Sequence, residues 1–150
     1  MVFKYLRLLF SILLIAFFAL TTSAQVSKVH FQANPWKAGQ LISPEDLANL
    51  IGAKEQVKIY NIGVVEDIKG AVNLGPASDQ ANLEKLQKIA ESGNKNELII
   101  IYCGCCPMDK CPNIRPAFKL LSASKFTNVR LLDLPVNLKV DWIDKGYPVK

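Results

Sequence analysis

Every cysteine of the chain falls in one short stretch, Cys103-Gly104-Cys105-Cys106-Pro107-Met108-Asp109-Lys110-Cys111-Pro112. Cysteines that staple a small fold usually come from separated segments, so these thiols belong to one site. Several chemistries suit such a set. A thiolate among them can act as a nucleophile, and the Cys103–Cys106 pair has the CxxC spacing of a dithiol that cycles through a disulfide. Four soft sulfurs, Cys103, Cys105, Cys106 and Cys111, can also hold Cu(I) or Zn(II), although the paired knuckles of ordinary zinc sites are missing. As a plain structural device the thiols would pair. A Cys105–Cys106 bridge is strained, which leaves Cys103–Cys105 with Cys106–Cys111, or Cys103–Cys106 with Cys105–Cys111. Lys110 and Arg115 are close in sequence, and both cations favour a thiolate.

The elements around the stretch must position it. Leu98-Ile99-Ile100-Ile101-Tyr102 is the most apolar run outside the N-terminus. A β-branched run without alternation predicts a strand covered on both faces, the central strand of a parallel sheet. The cysteines begin at its carboxyl end. After them, Asn113 is placed to cap a helix whose apolar stripe is Ile114, Ala117, Phe118 and Leu121, with Pro116 tolerated in the first turn. The unpaired N–H groups of that helix start would favour a thiolate in the loop.

Upstream, Ser43-Pro44-Glu45-Asp46 reads as an N-cap, an N1 proline and acidic groups at the positive helix end. Ile42 can staple against Leu47 from outside that cap, and Gly52 supplies the stop. Val57 to Asn61 and Ala71 to Leu74 read as strands, Leu83, Leu86 and Ala90 as a helix face broken at Gly93-Asn94, and Val129 to Leu132 as the last strand. Val29 to Phe31 is a candidate edge strand. The alternation predicts an α/β, doubly wound, mainly parallel sheet of about five strands with helices on both faces. In such sheets ligands meet the carboxyl ends of strands, where the cysteine loop lies.

The chain has 150 residues, with 18 Lys+Arg against 13 Asp+Glu and a net charge of +5. Residues 1–24 account for part of that excess. Lys4 and Arg7 precede an apolar run from Leu8 to Leu20 and then Thr21-Thr22-Ser23-Ala24, the layout of a signal peptide cleaved before Gln25. The run is short for a membrane span, so no stable span is expected after cleavage, and residues 25–150 form one exported domain, periplasmic or secreted. No basic run interleaved with aromatics offers a footing for nucleic acid. His30, the single histidine, is remote from the cysteines, and no paired carboxylates, Ser-His-Asp order or phosphate loop are present.

From about residue 41 to 149 the sequence resembles a single-domain rhodanese. The hydrophobic-Tyr-Cys step of that family matches Ile101-Tyr102-Cys103. Its Ile-Pro-Gly-Ala segment is similar to Ile68-Lys69-Gly70-Ala71, and its closing Trp and Gly-Tyr-Pro-Val are similar to Trp142 and Gly146-Tyr147-Pro148-Val149. Asn61 and Gly63 stand where the family commonly has Asp and Arg, and the cysteine loop is longer than the family's.

The resemblance implies sulfur transfer with Cys103 as the nucleophile. Cys103 would take the outer sulfur of a small anion such as thiosulfate and pass it as a persulfide to a thiol acceptor, with no cofactor required. Loop N–H groups, starting at Gly104, would hold the persulfide, and Arg115, with Lys110 as a second cation, would bind the anionic donor. Cys105, Cys106 and Cys111 then serve as resolving or disulfide partners.

Overall fold

The computed structural model describes residues 35–150. The leader expected at residues 1–24, the edge strand expected at Val29 to Phe31, and His30 lie outside the described residues. Five strands, β1 (Leu41–Ile42), β2 (Lys58–Asn61), β3 (Ala71–Asn73), β4 (Ile99–Tyr102) and β5 (Val129–Leu132), form one sheet in the order β1-β5-β4-β2-β3. All four pairings are parallel. The apolar run around Ile100 is the central strand, as its composition requires, and all four β4 residues are buried.

Successive strand residues face opposite sides of a sheet, and the core divides accordingly. Ile99 and Ile101 pack with helices α2 (Gln80–Ser92) and α3 (Ile114–Ala123) through Leu86, Ala90, Ile114, Ala117 and Leu121. Ile100 and Tyr102 pack on the other side with Leu47 of helix α1 (Pro44–Gly52) and with Leu138 and Trp142, at and just after helix α4 (Leu138–Asp141). Helices therefore cover both faces. Each fully buried isoleucine of β4 stabilises this arrangement by about 1.5–3 kcal/mol. Among the described residues no helix is long and apolar enough to cross a membrane.

The start of α1 follows its sequence. Ser43 Oγ accepts from Asp46 N at 3.0 Å, Pro44 opens the helix, and Ile42 and Leu47 join the same core cluster. Three local expectations are corrected. Ile42 is more than a staple, because Leu41 and Ile42 pair with Leu131 and Leu132 as an edge strand too short to show a period. Gly52 is the last residue of α1, and the left-handed position falls at Lys54 (φ 58°), where Lys54 N donates to Ile51 O and Glu55 N to Leu50 O. That pair of bonds closes a helix as a Schellman motif. Asn113 precedes α3 but makes no capping bond with its side chain.

Tyr102 ties the central strand to the segment before β3. Its hydroxyl accepts from Ile68 N at 3.0 Å and donates to Glu66 O at 3.2 Å, and the residue is fully buried. Tyr102→Phe leaves both backbone groups without that partner, which costs about 1–3 kcal/mol. The variant is expected to unfold at lower urea concentration with an unchanged denaturant slope, and an unshifted midpoint would show that water replaces the hydroxyl.

Candidate functional site

The chain leaves β4 into a loop that reaches α3 at Asn113, with a short 3-10 turn at Met108–Lys110. Two glycines permit close packing around the start of the loop, one against Cys103 and one against Leu138 and Val65. A Cβ on Gly63 would lie 2.3 Å from Cys103 O and 2.9 Å from Cys103 Sγ, so the turn after β2 packs directly on the nucleophile candidate. Gly104 adopts φ +72°, and a Cβ there would meet Leu138 Cβ at 2.8 Å. Its carbonyl accepts from Leu138 N at 2.8 Å, which moors the loop to the start of α4. The fully buried Asn61 holds the opposite wall. Its Oδ1 accepts from Gly63 N at 3.0 Å, while Nδ2 donates to Val65 O at 2.8 Å and Asp67 Oδ1 at 2.9 Å.

Cys103 is only 2% exposed, and hydrogen-bond donors converge on it. The largest effect comes from the Cys111 thiol. Burial opposes ionisation, but Asn113 and the thiol and N–H of Cys105 add to Cys111, and together they hold Cys103 well below the usual thiol range, at about 5. The Cys105 sulfur lies 3.3 Å away and Asn113 Nδ2 3.1 Å away. Burial first, then the bonds to Cys103 and Cys106, push Cys105 up to about 12. Cys111 is also pushed up, chiefly because its thiol donates to Cys103. One sulfur is thus the anion and its neighbours keep their protons.

The start of α3 acts on this charge through an intermediary. The backbone N–H groups of Asn113 and Ile114 bond to Cys111, not to Cys103. A thiol whose sulfur accepts from two amides is polarised into a better donor, so the helix field reaches Cys103 by way of Cys111. Asn113 is the contributor the sequence did not reveal. Its Oδ1 accepts from Ser78 N at 2.8 Å, which orients the amide so that Nδ2 faces the sulfur. An asparagine before a helix reads as a cap, and only the fold brings the turn before α2 close enough to claim its oxygen.

The other expected residues are placed as follows. Arg115 Nη2 donates to Asp109 O at 3.3 Å, and its guanidinium lies over the Trp36 ring at 5.8 Å, so it braces the loop. Lys110 is exposed on the 3-10 turn. The donors that lower Cys103 are thiols and amides rather than these two cations. The sulfurs of Cys103, Cys105 and Cys111 lie within 4.8 Å of one another. Cys106 stands beside the trio, 3.5 Å from the Cys105 sulfur, and none of the four cysteines is joined in a disulfide. A cavity of about 10 Å³ opens at Cys103, lined also by Cys106, Met108 and Cys111 and by Ile114 and Leu132. It has room for about one small atom.

The sequence matches no protein-family model and no curated protein significantly. Solved structures do resemble the chain. Thiosulfate sulfurtransferase from Pseudomonas aeruginosa aligns with a TM-score of 0.53 at 19% identity over 73% of this chain, which spans only 19% of that chain. The Alr3790 protein from Anabaena sp. aligns with a TM-score of 0.53 at 18% identity, covering 73% of this chain and 90% of that one. The chain has a rhodanese-like fold, with a cysteine cluster at the carboxyl end of its central strand.

The Asn113 contact sets a measurable quantity. A hydrogen bond to a charged group contributes about 1.5–3 kcal/mol, and about 1.4 kcal/mol moves a pKa by one unit. Asn113→Ala is therefore expected to raise the Cys103 pKa by about one to two units, read from the pH dependence of its alkylation. An unchanged profile would show that Cys111 and Cys105 suffice.

Proposed function

We propose that the chain is a sulfur-transfer protein in which Cys103 carries sulfane sulfur as a persulfide. The observation that carries this reading is the anionic Cys103, set at the end of the central strand of a rhodanese-like sheet and stabilised by donors from Cys111, Asn113 and Cys105. The thiolate attacks the outer sulfur of a donor such as thiosulfate. The donor's S–S bond breaks, and sulfite leaves with the electron pair. An acceptor thiolate then attacks the outer sulfur of the persulfide, and the pair from the broken S–S bond restores the Cys103 thiolate. The cavity beside Cys103 suits a single added atom. The donors to Cys103 hold its thiolate before any substrate arrives, so the nucleophile is formed ahead of the first step. On this reading the leader at residues 1–24 exports the chain, and the acceptor is a thiol of the periplasm or the exterior.

Reduced protein incubated with thiosulfate is expected to gain one sulfur atom at Cys103 by mass spectrometry, with no gain in Cys103→Ser. An unmodified wild type would overturn the reading. The ionisation is tested separately. Alkylation of Cys103 by iodoacetamide is expected to rise with pH to a half-maximum near pH 5 and then level off, whereas a free cysteine rises through about 8.5. A half-maximum in the ordinary range would remove the activated nucleophile.

A further inference from the structure

The sequence alone offers four sulfurs to a metal, and the fold selects among them. Cys103, Cys105 and Cys111 converge within 4.8 Å of one another, from the end of β4, the loop and the approach to α3. Cys106 neighbours only one member of the trio by hydrogen bonding, Cys105 at 3.5 Å. A metal–thiolate bond of about 2.3 Å puts the sulfurs of a planar three-coordinate site about 4 Å apart. Cys103 and Cys105, now 3.3 Å apart, reach that spacing by rotation of the exposed Cys105 side chain. The surroundings decide the ion. The adjoining cavity is lined by Met108, Ile114, Leu132 and Leu134, and no histidine or carboxylate joins the sulfur cluster among the described residues. Zn(II) prefers a fourth ligand or a water in a tetrahedral site, while an all-sulfur, low-coordinate environment selects Cu(I).

We propose that Cys103, Cys105 and Cys111 bind one Cu(I) ion as a three-sulfur site. Three metal–sulfur bonds form, the protons of Cys105 and Cys111 pass to solvent, and no electron is transferred. Asn113 supports the site from outside it, because its Nδ2 donates to the Cys103 sulfur. The site stands independently of sulfur transfer but shares Cys103 with it, so a loop that holds the ion has no free nucleophile.

The test is an anaerobic titration of the reduced protein with Cu(I) in competition with the chromogenic chelator bicinchoninate. Near-ultraviolet sulfur-to-copper absorption supplies a second readout. Wild type is expected to withdraw one Cu(I) per chain from the chelator. Cys105→Ser and Cys111→Ser are each expected to lose at least about 100-fold in affinity, the upper end of what a supporting residue costs when removed. Cys106→Ser is expected to lose less than about tenfold. Cys105 is exposed, so its variant tests the ligand set without disturbing the core, and circular dichroism checks the fold of the Cys111 variant. The proposal is overturned if wild type leaves Cu(I) with the chelator, if Cys106→Ser loses as much as Cys105→Ser, or if Zn(II) displaces Cu(I) at equal concentration. The thiosulfate mass shift is measured without metal, so failure of either idea leaves the other to be judged on its own data.

Discussion

A sulfur anion shielded from water at the mouth of a hydrophobic core is costly, and the site is organised around meeting that cost. Cys103 has little solvent to hold its charge, so donors must replace water. Three side chains do so, each fixed by something else. Cys111 is polarised by the first amides of α3, Asn113 is oriented by Ser78 N, and Cys105 follows the left-handed Gly104. None is a cation. The charge is held by hydrogen bonds of defined direction, which keep their effect when salt screens surface lysines.

This arrangement explains why the cysteines are close together and yet unequal. Four similar thiols in water would titrate alike, but here one is driven down and two are driven up by the same set of contacts. Deprotonating a second sulfur puts like charges side by side, so the trio holds one negative charge strongly and resists a second. The cluster therefore presents one anionic sulfur rather than several equivalent thiols. A thiophilic cation can draw out the remaining protons because it supplies the compensating charge.

Much of the scaffold was legible in the sequence because its signals are local. The unbroken Ile99-Ile100-Ile101 run can only be a strand covered twice, and Ser43-Pro44 with Asp46 three residues past the cap can hardly be other than a helix start. The position of the cysteine loop followed from where that strand ends. Less legible were features that depend on a distant partner. The two residues of β1 acquire their conformation by pairing with β5, Lys54 is held left-handed by the bonds that close α1, and Asn113 loses its capping role to Ser78. Charge proximity in sequence also pointed to Lys110 and Arg115, whereas the arginine faces the Asp109 carbonyl and Trp36.

The walls of the site come from both ends of the described chain's order. The Gly63 turn contributes early, but the moorings arrive late. Gly104 O is bonded by Leu138 N, Lys69 N by Pro148 O, and Asp67 O by Lys150 N, with Ile68 bridged to Val149. With residues 138–150 detached, Cys103, Cys105, Cys106 and Cys111 stay in place in the sequence but Gly104, Lys69 and Asp67 lose these bonds. Fraying of that segment therefore loosens the cysteine loop from a distance, without any change in the central strand that delivers it.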